Sequence, residues 1–131
     1  MILLDTHVAY WATAAPQKLS RDAQRAIEKQ ALSGGLSISS VTLFELAHLM
    51  QTRRIRWSGT VRSGLEAVLA NTQAVVHEIT PEIAVAASEL PHGFPGDPMD
   101  RLIAATALVV GIPLVTKDQG ILDSPLIETI W

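Results

Sequence analysis

Short apolar segments alternate with longer segments of helical character along this chain, and this alternation constrains the fold more than any other feature. The apolar segments have strand length: MILLD at 1–5, LSIS at 36–39, AVVHEI at 74–79 and PLVT at 113–116. Parallel strands of one sheet need a crossover connection, and a helix is the usual one. The sequence therefore predicts an α/β fold, in which helices flank a parallel sheet.

Capping signals mark the helices between these strands. Ser20 and Thr80 stand where an N-cap is expected, Pro81 takes a first helical position, and Gly34 and Gly111 stand just beyond two helix ends. We predict helices at 6–13, 21–33, 40–51, 60–72, 80–90 and 98–110, and a fifth strand, LIETIW, at 126–131.

The length and composition are typical of one globular domain. A chain of 131 residues is long enough to bury about two-thirds of its unfolded surface without disulfides or structural metal ions. A hydrophobic fraction of 48% and a charged fraction of 18% suit a sheet that is covered on both faces. We expect a single domain over 1–131.

Two absences exclude several classes of protein. Because there is no cysteine, the chain has no disulfide framework, thiolate zinc site or cysteine nucleophile, and any metal ligands would be oxygen or imidazole. The first residues, MILLDTHVAY, carry no basic segment and reach a charge at Asp5, and no later apolar run has the length of a transmembrane helix. We expect a soluble protein of the cytoplasm.

Basic residues are concentrated in one segment of an otherwise acidic chain. The net charge of −3 argues against a generally basic surface for holding phosphates. Four arginines and a tryptophan nevertheless fall within RRIRWSGTVR at 53–62: Arg53, Arg54, Arg56, Arg62 and Trp57. This segment is either a solvated helix end, where cations are favoured, or an RNA contact through guanidinium–phosphate bonds and base stacking.

Five acidic residues lie near the predicted carboxyl ends of the strands. Asp5 closes the first strand, Glu45 lies about two turns into the helix after the second, and Asp118 follows the PLVT strand by two residues. Asp97 and Asp100 begin the helix that leads to that strand. Because parallel α/β sheets form their sites at this end, all five acids can face one site.

Most of these acids also have a purely structural interpretation. Asp97, Pro98 and Asp100 imitate a capping box, with both charges favoured by the helix dipole. Asp5 is placed to cap the first helix, and Asp118 to open a surface turn.

Glu45 fits such an interpretation least well. Its neighbours Leu43, Phe44 and Leu46 leave only a narrow polar strip on the helix, so a carboxylate there needs a partner, such as Thr42, or exposure to solvent. Four or five carboxylates at one end of the sheet would instead form an all-oxygen site suited to Mg²⁺ or Mn²⁺.

Four segments, in order, resemble the motifs of the PIN-domain nucleases, and within them the toxin subunits of VapBC-type toxin–antitoxin pairs. LLDTH is similar to the first acidic motif, SISSVTLFELAHL to the second, DPMDRLIAATAL to the third and LVTKD to the fourth. The resemblance covers the whole chain. It implies a PIN-like fold with an acidic site at the carboxyl ends of the strands.

The resemblance also assigns roles to the residues at the matching positions. It implies Asp5, Glu45, Asp100 and Asp118 as the catalytic, metal-binding quartet, with Asp97 as an accessory acid. It implies small polar residues that orient these acids or bind water: Thr6, Ser39 and Thr116. The implied reaction is hydrolysis of RNA phosphodiester bonds with Mg²⁺ or Mn²⁺, which leaves a 5′-phosphate and a 3′-hydroxyl.

The partners implied by the resemblance are an RNA substrate, a cognate VapB-type antitoxin and a second copy of the chain in a homodimer. An acidic antitoxin segment is then a third interpretation for the arginine segment. One alternative is a non-catalytic PIN-like module that binds RNA or protein. A phosphoacceptor receiver domain, with Lys117 as its late lysine, is disfavoured because receivers pair acids before the first helix and this chain has only Asp5 there.

Overall fold

A five-stranded parallel sheet forms the centre of the structure. The computed structural model describes all residues from 1 to 131. The strands are β1 (Ile2–Leu4), β2 (Leu36–Ser39), β3 (Val75–His77), β4 (Leu114–Val115) and β5 (Thr129–Ile130). Their order is β3-β2-β1-β4-β5, and every neighbouring pair is parallel. The predicted α/β architecture is confirmed.

The central strand β1 determines where a site can form. Leu3 pairs with Ser37 of β2 on one side and with Leu114 of β4 on the other. The chain continues from β2 to β3 on one side and from β4 to β5 on the other, so the strand order reverses at β1. Connections at the carboxyl ends diverge at such a point and leave a crevice between them.

Seven helices flank the sheet. They are α1 (Thr6–Ala14), α2 (Arg21–Ala31), α3 (Ser40–Gln51), α4 (Val61–Thr72), α5 (Pro81–Glu89), α6 (Pro98–Val110) and α7 (Gln119–Leu122), with one turn of 3-10 helix at Pro16–Lys18. The side chains of Ser20, Thr60 and Thr80 each accept a hydrogen bond from the amide three residues on, as expected of N-caps. Gly111 ends α6 at a φ of +76°, which glycine adopts without strain.

None of these helices is both long and apolar enough to cross a membrane.

The structure differs from the sequence predictions mainly in the lengths of the strands. The third strand covers Val75–His77 rather than 74–79, and the fifth covers Thr129–Ile130 rather than 126–131, because only these residues have a ladder partner on the adjacent strand. Helix α7 is absent from the predictions, since a helix of four residues is too short to display an apolar periodicity.

Side-chain alternation along β1 divides the core between the two faces of the sheet. Ile2 and Leu4 belong to a cluster of 15 buried residues on one face. Leu3 points to the opposite face and joins a cluster of nine, which includes Ile103 of α6 and Leu114. Because both faces of β1 are covered, an unbroken apolar run is the sequence that this position requires.

Replacing Leu3 by alanine tests this packing. Leu3 is 0% exposed, so we expect Leu3→Ala to lower the free energy of unfolding by about 2–5 kcal/mol through lost burial and a residual cavity. Urea denaturation measures the change. The matched control is Leu32→Ala, since Leu32 is 91% exposed and its truncation should change stability by about 0.5 kcal/mol or less. Similar losses for the two variants would contradict the burial of β1.

Candidate active site

Asp5 connects the carboxyl ends of β1 and β4. As the N-cap of α1, it accepts the amide of Thr6 on one carboxylate oxygen at 2.8 Å. Its other oxygen accepts the hydroxyl of Thr116, which directly follows β4, at 2.6 Å. Thr116 is fully buried. Asp5 is therefore both a helix cap and a carboxylate of fixed orientation at the end of the sheet.

Glu45 has the buried partner that its apolar surroundings require. The hydroxyl of Thr6 donates a hydrogen bond to its carboxylate and lies 3.2 Å from the hydroxyl of Thr42. Thr6 and Thr42 are both buried, while Glu45 is half-buried. These contacts join α1 to α3 and aim the Glu45 carboxylate at the end of β1, rather than toward solvent.

Asp118 is oriented by the short helix α7. Its carboxylate accepts the amide of Ile121 at 3.0 Å and caps this helix. Its own amide donates to the hydroxyl of Thr116 at 3.1 Å. The Thr116 hydroxyl thus connects Asp118 to Asp5, in agreement with its predicted position beside the acids.

Asp97 and Asp100 stand at the start of α6 and differ in their contacts. Asp97 caps the helix, as predicted, and accepts the amides of Met99 at 2.8 Å and Asp100 at 3.1 Å. Asp97 is exposed, whereas Asp100 is half-buried. The N-terminus of α6 thereby presents two acids, of which one is engaged in the cap.

Arg101 fixes the loop that leads into α6, a role that the sequence analysis missed. Its guanidinium donates to the carbonyls of Leu90 at 2.6 Å, Ala87 at 3.3 Å and Pro95 at 3.3 Å. These bonds tie the loop after α5 to the first turn of α6. The only signal in the sequence is an arginine next to Asp100, which does not reveal partners that lie six to fourteen residues away.

These side chains line one open cleft, which we call the acidic cleft. Its volume is about 500 Å³, and its lining residues are Asp5, His7, Val8, Trp11, Glu45, Asp97, Asp100, Lys117 and Asp118. All five acids singled out from the sequence are therefore brought together. Carboxylate oxygens of Glu45, Asp97 and Asp100 lie within 4.8 Å of one another.

Burial and mutual repulsion raise the pKa of three carboxyls in the acidic cleft. For Asp100, loss of solvent contact is the largest cause and four neighbouring acids add to it, which raises its pKa from 3.8 to about 7. Burial also raises the pKa of Asp5 and Glu45, against the hydrogen bonds from Thr116 and Thr6. The cleft therefore disfavours its own negative charge in the absence of a cation.

The donor set of the acidic cleft fits a hard divalent cation. All the close ligand atoms are carboxylate oxygens, which suit Mg²⁺ and Mn²⁺ better than softer metals. A cation among them would relieve both the repulsion and the desolvation that raise the pKa values. The chemistry of these residues is thus compatible with the metal ion that the motifs imply.

Ser39, also singled out from the sequence, does not line the acidic cleft. It is fully buried at the end of β2, and its hydroxyl accepts the amide of Val41 at 3.3 Å as the N-cap of α3. Ser39 thereby sets the start of the helix that carries Glu45.

The arginine loop, which we define as residues 53–57, lies at a second cavity of about 910 Å³. Arg53, Arg56 and Trp57 line this cavity, and Arg54 is exposed. Tyr10 of α1 donates its hydroxyl to the carbonyl of Arg56 at 2.7 Å. The half-buried Trp57 also donates its indole N–H to the hydroxyl of Ser63 at 3.3 Å. The acids and the arginines therefore lie in different cavities, although α1 and α3 contribute residues to both.

Comparison with known proteins agrees with this geometry. Residues 2–124 match the model of the PIN domain, and the chain belongs to that family. It is also 43% identical over 132 residues to ribonuclease VapC22 of Mycobacterium tuberculosis, with 99% of this chain and 98% of that protein aligned. The family predicted from the four motifs is confirmed.

Solved structures share the fold. A structure of VapBC2 from Rickettsia felis, bound to a DNA fragment from their promoter, matches with a TM-score of 0.73 and 21% identity, over 98% of this chain and 97% of that one. DNA-bound VapBC from Salmonella typhimurium matches with a TM-score of 0.70 and 22% identity, over 98% and 95%. At this level of identity the likeness concerns the fold.

The raised pKa of Asp100 predicts a pH-dependent stability. Its carboxyl titrates near 3.8 in the unfolded chain and near 7 in the folded protein, so the folded state holds the extra proton between these values. The free energy of unfolding of EDTA-treated protein should therefore fall as the pH rises through this window. Because asparagine does not titrate, Asp100→Asn removes this pH-dependent decrease in the free energy of unfolding. We expect the variant to be more stable than the wild type at pH 8 by about 1–2 kcal/mol, a moderate figure because the carboxyl is partly solvated.

Urea denaturation at pH 5 and pH 8 measures this effect, and Asp123→Asn, at an exposed acid outside the acidic cleft, is the control. Equal stability of Asp100→Asn and wild type at both pH values would contradict the prediction.

Substitutions should distinguish the roles of the two acids at the start of α6, Asp97 and Asp100. Asp97→Ala loses the bonds to Met99 and Asp100 and should cost about 0.5–2 kcal/mol of stability, whereas Asp97→Asn still caps and should cost little. Asp100→Asn should weaken Mg²⁺ binding more than Asp97→Asn does. Calorimetric titration with Mg²⁺ and thermal melting of all three variants test this division. Equal losses of Mg²⁺ affinity for the two Asn variants would make Asp97 an equivalent ligand.

Proposed function

We propose that this chain is a metal-dependent endoribonuclease and the toxin of a toxin–antitoxin pair, acting as a single domain over residues 1–131 in the cytoplasm. Its main support is the convergence of five carboxylates in one open cleft at the carboxyl end of the sheet. In this proposal Asp5, Glu45, Asp100 and Asp118 are the catalytic and metal-binding residues. The name of the relative, ribonuclease VapC22, supports RNA as the substrate.

The chain's own residues would act by holding oxygen ligands in place. Hydrogen bonds from Thr6 and Thr116 orient Asp5, the Thr6 hydroxyl orients Glu45, and the amide of Ile121 orients Asp118. Bound Mg²⁺ or Mn²⁺ would supply neutralisation of the carboxylates, activation of a water molecule and stabilisation of charge on the phosphate. We propose hydrolysis that leaves a 5′-phosphate and a 3′-hydroxyl.

The proposed protein partners are a VapB-type antitoxin and a second copy of the chain. The solved structures that share this fold are described as VapBC complexes, which supports an antitoxin partner. We propose that the arginine loop contacts RNA or an acidic segment of the antitoxin, with Trp57 beside its guanidinium groups. Exposed apolar side chains near the end of α6 offer a surface to a second copy: Leu108, Val109 and Val110.

A non-catalytic PIN-like module that binds RNA or protein is the second candidate. The observation that favours it is that Asp5, Asp97 and Asp118 all serve as helix N-caps, so each has a structural reason to be acidic. Glu45 and Asp100 are not N-caps, and the half-buried Glu45 has no helix dipole to favour its charge, which makes the nuclease the better supported of the two.

We expect the purified protein to cleave a single-stranded RNA oligonucleotide in Mg²⁺ or Mn²⁺ and to be inactive in EDTA, because the carboxylates alone supply no electrophile. Glu45→Gln and Asp100→Asn should each lower kcat by about 100-fold or more while the fold is retained. Glu66→Gln, at an exposed acid on α4 outside the acidic cleft, should leave activity unchanged.

Three outcomes discriminate between the candidates. Cleavage that persists after thorough chelation would contradict a metal mechanism. A folded and fully active Asp100→Asn variant would remove this residue from the quartet. RNA binding without cleavage in either metal ion would favour the non-catalytic module.

A further inference from the structure

The acidic cleft carries an excess of negative charge, which disfavours the binding of an anionic substrate. Five carboxylates line it; when all are ionised, one divalent cation leaves about three negative charges uncompensated, and two cations leave about one. A phosphate that approaches this cleft is repelled unless the protein also supplies positive charge. The lining contains two basic side chains, His7 and Lys117, and no arginine.

The backbone of Lys117 is held at the edge of the acidic cleft by its two neighbours in the chain, Thr116 and Asp118. The preceding Thr116 donates to Asp5 at 2.6 Å and accepts the amide of Asp118 at 3.1 Å. The backbone that carries Lys117 is thus tied to two of the acids. Its side chain is exposed, and its ammonium nitrogen lies 5.8 Å from the centre of the Trp11 ring, within the range of a cation–π interaction.

Trp11 is itself fixed by aromatic neighbours. Its ring lies 6.1 Å from that of Trp131, at an interplanar angle of 51°, and 5.7 Å from the imidazole of His7, at 52°. Tilted aromatic pairs at such separations are favourable. Trp11 is half-buried and packs against the larger core cluster. It therefore presents a fixed surface beside the Lys117 ammonium group.

We propose that Lys117 binds a backbone phosphate of the RNA in the acidic cleft and that Trp11 is its positioning residue; this inference rests on the proposed ribonuclease function. An exposed cation–π contact is weak, whereas an ammonium–phosphate hydrogen bond is charge-assisted and stronger. Lys117 can therefore exchange the Trp11 ring for a phosphate. The arginine loop cannot replace it within the cleft, because its residues line a different cavity.

A lysine beside carboxylates also has a structural interpretation, as their counter-ion, and the two roles have different consequences. Loss of a counter-ion would strengthen Mg²⁺ binding and destabilise the EDTA-treated protein, and it would leave the number of RNA phosphates in contact unchanged. Loss of a phosphate-binding cation would weaken RNA binding and reduce its dependence on salt, because fewer counterions are released.

The test is cleavage of a single-stranded RNA oligonucleotide in Mg²⁺ over a range of NaCl concentrations. We expect Lys117→Gln to raise KM about tenfold with kcat within about threefold of wild type, and to lower the slope of log(kcat/KM) against log salt by roughly 0.7. Lys117→Arg should restore the slope. Lys29→Gln, at an exposed lysine on α2 outside the acidic cleft, is the matched control and should change neither quantity.

Trp11 is tested by two variants. Trp11→Leu should raise KM by less than Lys117→Gln, and adding it to Lys117→Gln should change KM little further, since both changes disrupt one contact. Trp11→Phe keeps an aromatic face, so its KM should stay close to that of the wild type. This variant also provides a measurement if Trp11→Leu does not fold. Equal KM values for Trp11→Phe and a folded Trp11→Leu would contradict the positioning role.

Fluorescence anisotropy with the same oligonucleotide, in a Glu45→Gln background in which cleavage is strongly slowed, provides a readout apart from activity. In this experiment Lys117→Gln should again lower the affinity for RNA and reduce the dependence of that affinity on salt. An unchanged salt slope, or a loss seen with His7→Gln instead, would overturn the assignment of Lys117. A wild type that binds RNA through Lys117 without cleaving it would overturn the ribonuclease proposal alone.

Discussion

The burial of several carboxylates close to one another, with the desolvation and repulsion that this brings, is the constraint on which the organisation of this protein depends. Five acids from different parts of the chain line one cleft, where burial first, and then repulsion from the other four acids, raises the pKa of Asp100 to about 7. The fold offsets this with a fully covered central strand and with hydroxyl groups that hold individual acids. A site that is unfavourable in the protein alone is one that a divalent cation can stabilise.

Threonine hydroxyls connect the sheet to the acids. Thr6 lies between Glu45 and Thr42, and Thr116 lies between Asp5 and the amide of Asp118. Both Thr6 and Thr116 are buried, so their hydrogen bonds form where water does not compete and where an unmade bond would be costly. Thr6 and Thr116 therefore hold the orientation of individual acids, whereas Ser39 caps α3.

Helix α1 separates two regions of opposite charge. One face of this helix, with His7 and Trp11, lines the acidic cleft, whereas Tyr10 lines the cavity of the arginine loop and bonds to the carbonyl of Arg56. In the proposed function, the acidic cleft would bind cations and the arginine loop would bind anions. The net charge of −3 does not argue against the proposed binding of RNA, because the local distribution of charge matters more than the total.

The sequence by itself determined the parallel sheet, the helix caps and the acids of the site, because these signals are local: an apolar run, a cap with its amides within three residues, and an acid just past a strand. The tertiary structure alone decided that Thr6 meets Glu45, that Arg101 fixes the loop before α6, and that Lys117 stands over Trp11. It also decided the short strand lengths and helix α7. Such contacts join residues far apart in the chain, and they follow from how helices pack on the sheet, which no local pattern encodes.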